Sequence, residues 1–244
     1  LVPLMNEVCW LVSDDEYTVE TIDSTTKFGM GLPMGAFELG DQVGNDVTYH
    51  VLEYMHEVLG DAYEPAPFLE EKIEESKSRR SDILAEEVRN KKTRIKDGST
   101  KNQIRYLQGL KQILLGNSTR VELPVDTQNL HRWSTDLTDD KRHEIISEID
   151  TDIDSLSKEL ARSVVIDIQD DLDQYIENDS VAAPAEGLTN FHSYIQGGQE
   201  KFQKGMLSSP ADHFSQLESL YGQGIVQQAH FEGAKDDIET YLRE

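Results

Sequence analysis

Residues 139–176 read DDKRHEIISEIDTDIDSLSKELARSVVIDIQDDLDQYI. Ile146, Ile149, Ile153, Leu156, Leu160, Val164, Ile168, Leu172 and Tyr175 recur there at intervals of three and four, the spacing of one helical stripe. The stretch therefore predicts a single helix from about Asp139 to Ile176, on the order of 55 Å long. The β-branched run Val164-Val165-Ile166 offers a competing reading as a helix followed by a strand, against which the flanks keep helical spacing. A seam of that length needs a partner, which the basic helices upstream, the tail helices downstream or a second copy of the chain could supply.

Outward from this helix the pattern stays helical, and the expected fold class is all-α. Downstream, 178–187 reads as a loop. Helices are expected from Leu188 to about Gln196, broken at Gly197-Gly198, then from Pro210 with Ser209 as cap, then over Ile225–Leu242 with Phe231, Ile238 and Tyr241 inward. Upstream, Val121-Glu122-Leu123-Pro124-Val125 alternates briefly as if extended. Ile83, Leu84, Val88 and Ile95 suggest a helix that Asp97-Gly98-Ser99 ends. Thr100 is expected to cap another, with Ile104, Leu107, Leu110, Ile113 and Leu114 inward. Arg89, Lys91, Lys92, Arg94, Lys96, Lys101, Arg105 and Lys111 lie on these two helices. A nucleic-acid contact would use such a patch, with Tyr106 for stacking; the plainer reading is a basic face that pairs with acidic flanks.

The chain has 244 residues, 47 acidic and 23 basic, for a formal charge of -24. Residues 1–76 hold 2 basic and 17 acidic residues, 77–111 hold 11 and 4, and 112–244 hold 10 and 26. A surface this acidic repels phosphate backbones and anionic lipid, and self-repulsion of that size disfavours compaction unless ions screen it, which points to a halophilic source. No apolar run is long enough to span a bilayer, and the single cysteine, Cys9, allows neither an intrachain disulfide nor a cysteine zinc site; a cytoplasmic location is expected. Leu1-Val2-Pro3-Leu4-Met5 has no signal-peptide pattern, so the chain reads as entered partway through.

The first third reads as short helices. Leu1, Leu4, Met5, Val8, Cys9, Leu11 and Val12 form one to about Ser13, with no capping residue before it. Thr18 and Glu20 open a second, stopped by Gly29 or Gly31. Pro33 is placed at the first position of a third, through Phe37 and Leu39 to Gly44. Asp46 can cap a fourth, whose Val47, Val51, Tyr54, Met55 and Val58 form one apolar face until Gly60 ends it. Pro65-Ala66-Pro67 turns into a fifth from Phe68. His50 and His56, six apart, fall on different helix faces, and His192, His213 and His230 lie in separate helices, so no metal site is expected. Glu38 and Asp41, three apart, read as exposed carboxylates rather than an acid–base pair.

The string Leu1-Val2-Pro3-Leu4-Met5-Asn6-Glu7, then Ile22-Asp23, Lys27-Phe28-Gly29 and Gly31-Leu32-Pro33-Met34-Gly35-Ala36-Phe37-Glu38-Leu39-Gly40-Asp41, with Gly44, Asp46, Tyr63, Pro65, Pro67, Leu69 and Lys72, resembles the C-terminal helical domain of 3-hydroxyacyl-CoA dehydrogenases over about residues 1–75. The resemblance implies an oxidoreductase family that oxidises 3-hydroxyacyl-CoA with NAD in fatty-acid β-oxidation. It implies that this domain forms the dimer contact and covers the acyl-CoA site. Pro33, Met34, Gly35 and Phe37 are the pocket-lining candidates within it, set against the plainer reading that Met34, Phe37 and Leu39 are core and Gly35 a helix-packing contact. The family's glycine-rich nucleotide-binding turn, its catalytic His–Glu pair and its Asn would lie upstream of Leu1. The chain by itself is thus expected to bind no cofactor and to be catalytically silent, because hydride transfer needs a held nicotinamide and a positioned base. Its partners would be an acyl-CoA, a second copy or an upstream NAD-binding domain. Where the family ends in a glycine-rich stretch and Gly-Phe-Tyr, Glu75-Ser76-Lys77-Ser78-Arg79-Arg80 follows here. Three segments are therefore expected: 1–76 dehydrogenase-like, 77–117 a basic helical pair or linker, and 118–244 an acidic helical region. The alternative function is a helical protein-interaction or assembly module.

Overall fold

The computed structural model describes residues 1–14, 16–93, 98–117, 133, 135–177, 184–198, 202, 204–205 and 207–243, with only the backbone of residue 184. Among these, ten α-helices and no strands occur: α1 (Val2–Ser13), α2 (Val19–Ser24), α3 (Ala36–Val43), α4 (Asn45–Leu59), α5 (Pro67–Thr93), α6 (Thr100–Leu114), α7 (Asp139–Glu177), α8 (Pro184–Ile195), α9 (Ser208–Gly222) and α10 (Gln228–Tyr241). The all-α expectation is met. The chain divides into two compact units, Leu1–Leu84 with Asp136–Thr138 and Ala85–Thr135 with Asp139–Glu244.

In the first unit, α1 begins without a side-chain cap, as its sequence suggests, and has proline in its first turn instead. Thr18 caps α2 by accepting the Thr21 N–H. A core of Cys9, Leu52, Ala66, Leu69 and Ile73, with Trp10, Phe37 and Phe68 packed on it, joins α1, α4 and the start of α5. Polar groups fix the entry to α5. The buried Asn6 amide donates to the Glu64 carbonyl at 2.8 Å and accepts the Ala66 N–H at 3.0 Å, and Ser13 Oγ accepts the Phe68 N–H at 3.0 Å. Both donor and acceptor of Asn6 are thereby satisfied, as burial requires. Ser81, also buried, accepts the Thr138 N–H at 3.0 Å. Burial pushes the Cys9 thiol up to about 12, which keeps it protonated and inert.

Several local expectations are corrected. Pro33 is not the first residue of α3; the helix starts at Ala36 with Gly35 as N-cap. Asp46 lies in the first turn of α4, and Gly44, at φ +96°, precedes that helix. The face Val47, Val51, Tyr54, Val58 points outward, because Thr48 and Leu52 are the positions that meet the core. The fifth helix and the one read through Ile83, Leu84 and Val88 are a single helix, α5, which runs to Thr93. Residues 70–80 contain neither glycine nor proline, and Lys72–Glu75, Glu74–Lys77 and Glu75–Arg79 pair one turn apart along its exposed side.

In the second unit α7 is the axis, continuous over 39 residues, so the helix-then-strand alternative fails. Its seam is filled from within the unit, since α6, α9 and α10 all pack against it. Ile145, Ile149, Ile153, Val164, Ile168 and Leu172 are buried there with Ile104, Leu107, Leu110 and Leu114 of α6, Phe214 and Leu217 of α9 and Ile238 of α10. The stripe is displaced slightly from the one read in sequence. Ile145 rather than Ile146 is buried, and at mid-helix the small Ser157 and Ala161 replace Leu156 and Leu160. Ser157 Oγ accepts the Gln227 N–H at 2.9 Å, a contact that a leucine could not make. Ser99 rather than Thr100 caps α6, Ser209 donates to Asp171 instead of capping α9, and α8 starts at Pro184 rather than Leu188. Gly197 breaks the chain after α8 at φ +102°. The extended reading of 121–125 and the loop reading of 178–183 fall outside the described residues.

Candidate functional site

The segment from Asp23 to Asp41 is held at both ends by hydrogen bonds that cross between α2 and α3. The buried Thr26 hydroxyl donates to the Ile22 carbonyl at 2.9 Å and accepts the Ala36 N–H at 3.2 Å. Asp23 Oδ1 accepts the Phe37 N–H at 2.7 Å, which places a carboxylate at the N-terminus of α3, where the helix dipole favours it. Glu38 reaches back to the Gly35 N–H at 3.1 Å and pairs with Lys27. The Lys27 hydrogen bond holds the Glu38 carboxyl below its ordinary range. Glu38 is therefore a structural ion pair and does not act with Asp41.

These anchors project residues 28–34, the end of the π-helical turn Thr25–Gly29 and the loop that follows it. Of the sequence candidates, Pro33 is exposed and Met34 half-buried on that loop. Gly35 is buried, with no room for a side chain: a Cβ would lie 2.3 Å from Asp23 Cγ. Phe37 turns inward, edge-on to Phe68 at 5.7 Å between ring centroids, and joins both core clusters of the unit. The four residues are thus adjacent, with Pro33 exposed, Met34 half-buried, and Gly35 and Phe37 engaged in packing.

Sequence reasoning missed two apolar features beside them. Phe28 and Met30 stand 86% and 58% exposed on the same segment. The outward face of α4 carries Val47, Val51, Tyr54 and Val58, with Leu59, all exposed. Phe28 was visible in the motif, but nothing in its spacing marks it as outward. The α4 stripe has the period of a buried face, and only the stronger burial of Leu52 reveals which side the core takes. A separate cavity of about 400 Å³, lined by Asp41, Asp46, His50, Lys77 and Arg80, lies in this unit and includes none of the four candidates.

No group of three His, Cys, Asp or Glu that could hold a metal occurs among the described residues. His50 pairs with Glu53, His230 with Asp154 at 2.7 Å, and His213 Nδ1 sits 3.0 Å from Asp171 but out of line for a hydrogen bond. No described helix is long and apolar enough to cross a membrane. Half of the described basic patch is neutralised within the second unit. Arg89 contacts Glu144 and Glu148 at 2.9 Å, Lys92 contacts Glu148 and Asp152 at 3.2 and 2.9 Å, and Lys111 pairs with Asp150. Tyr106 is buried, which corrects its reading as a stacking platform. Arg94 and Lys96 lie outside the described residues.

Residues 1–83 match the family model of the 3-hydroxyacyl-CoA dehydrogenase C-terminal domain. The chain is 39% identical over 70 residues to a probable 3-hydroxybutyryl-CoA dehydrogenase of Bacillus subtilis, covering 28% of this chain and 24% of that protein. It is 36% identical over 75 residues to the 3-hydroxybutyryl-CoA dehydrogenase of Bradyrhizobium diazoefficiens, covering 30% and 26%. With the human mitochondrial hydroxyacyl-coenzyme A dehydrogenase it shares 37% over 79 residues, covering 32% and 25%. The chain spans about a quarter of the length of these curated relatives, which match its opening segment alone. No solved structure matches it.

Proposed function

We propose that the first unit is the substrate-covering and dimerisation domain of a 3-hydroxyacyl-CoA dehydrogenase, acting with an NAD-binding half that the described residues do not include. The observation that carries this reading is the coincidence of the family match with the anchored loop. The residues that fix Gly31–Asp41, namely Asp23, Thr26, Lys27, Gly35 and Glu38, all lie in the matched segment, and they hold Pro33 and Met34 outward beside Phe28 and Met30. Such an apolar rim suits an acyl chain, whereas proton and hydride transfer belong to the other half. The α4 stripe suits the dimer contact: Val47, Val51, Tyr54 and Val58 form an exposed apolar face in a highly charged chain.

Calorimetry with acetoacetyl-CoA tests the first assignment. Binding that Met34→Glu abolishes, with helical content unchanged, is the expected result, and no binding at millimolar ligand removes the reading. For the second, sedimentation should give a dimer that Val51→Asp with Tyr54→Glu converts to monomer; a wild-type monomer refutes the contact. The alternative, a helical assembly module, rests on the long α7 stripe and the charge blocks. Because α6, α9 and α10 fill that seam, the dehydrogenase reading is the better supported.

A further inference from the structure

In the second unit a groove of about 360 Å³ runs between α7 and α10. Ala161, Gly233 and Ala234 form part of its floor, and Lys158, Arg162 and Asp237 line its rim. Its volume falls within the usual range of about 300–1,000 Å³ for small-molecule sites. Two of its features bear on what it could hold.

The first is the pair Lys158 and Arg162. Four residues apart on α7, they share a face, and like charges at that spacing destabilise a helix. Neither makes an ion pair or hydrogen bond with a described residue. Elsewhere in the same unit Arg89, Lys92, Lys111, Arg142 and Lys235 each hold a carboxylate. Both are exposed, and Asp237 is the carboxylate that lines the same groove. The second is Gly233, inside α10, where glycine is less favourable than alanine. Its backbone is helical and a Cβ there would meet nothing within 4 Å, so neither turn geometry nor packing calls for glycine. Gly233 is exposed, and no side chain there narrows the groove it lines.

We propose that this groove binds a small organic monoanion, a carboxylate on a short apolar body. The carboxylate sits on Lys158 and Arg162, whose guanidinium offers a paired donor geometry, and the body lies over Ala161, Gly233 and Ala234. His230 is already held by Asp154 and lines the groove as a neutralised wall. Asp237, facing from α10, opposes a second negative charge and so selects a monoanion over a dianion.

Calorimetric titration of the whole chain with sodium octanoate, beside acetate and octan-1-ol, tests the proposal. Octanoate is expected to bind, acetate not to, and octanol only weakly. Replacing Lys158→Gln and Arg162→Gln together should weaken octanoate about tenfold. Gly233→Leu, which fills open space, should abolish binding, and Asp237→Asn should tighten it, a gain that no unfolding could imitate. Failure of octanoate to bind at about 10 mM, equal binding of octanol, or indifference to both the paired substitution and Gly233→Leu would overturn it.

Discussion

At Gly35 the requirement for glycine comes from Asp23, twelve residues earlier in the chain. Asp23 accepts the Phe37 N–H and thereby closes α3, and to do so its side chain occupies the space where a Gly35 Cβ would stand, 2.3 Å from Cγ. Gly35→Ala must displace Asp23 and with it the cap. We expect a loss of about 1–3 kcal/mol in chemical denaturation, with helical content retained. An unchanged midpoint would show that Asp23 can move at no cost. The contrast with Thr18 explains what single residues reveal in advance. Thr18 caps the helix that starts at the next residue, through a bond to the Thr21 N–H that residue type and position announce, whereas Asp23 works across a loop and is visible only once α2 and α3 are placed. For the same reason Pro33, Met34, Gly35 and Phe37 could be picked out as a group by motif, but not sorted into open and packed members.

Among the elements, α7 was legible because its pattern is long and periodic, while α5 was not, because its middle is almost wholly exposed and presents charge instead of period. What ties α5 and α6 to α7 in the second unit is also charge. Glu148 is central, contacted by Arg89 at 2.9 Å and by Lys92 at 3.2 Å. The Arg89 hydrogen bond, with help from Lys92, lowers its carboxyl below the ordinary 4.5 against the opposing effect of burial. A depressed folded-state carboxyl adds stability above the unfolded value, and that stability disappears as pH falls through the folded one. Glu148→Gln should therefore cost about 0.5–1 kcal/mol near neutrality, a modest figure because the side chain is 34% exposed and both cations keep a second carboxylate, Glu144 or Asp152. The difference between variant and wild type should close as pH drops below 4.5. Denaturation curves across that range check it, and a gap that persists in acid would assign the effect to packing.

For the whole molecule the same charges act in opposite senses. Attraction within the Arg89, Lys92 and Lys111 network favours folding and is weakened by salt, while repulsion among the surplus carboxylates opposes folding and is also weakened by salt. Which prevails follows from number and place. Acidic residues exceed basic ones 47 to 23, and most surplus carboxylates lie at the surface, where screening is strongest, whereas Lys92 is only 15% exposed. Individual exposed ion pairs contribute about 0.2–1 kcal/mol, so their partial loss cannot offset relief of a net charge of -24. Raising KCl from 0.1 to 1 M shortens the screening length from about 10 to about 3 Å and should raise the melting temperature by roughly 5 °C or more. Sodium chloride at equal strength should do the same if screening alone is responsible. A melting temperature that stays flat or falls with salt would mean that the ion pairs outweigh the surplus, and would count against a salt-adapted source.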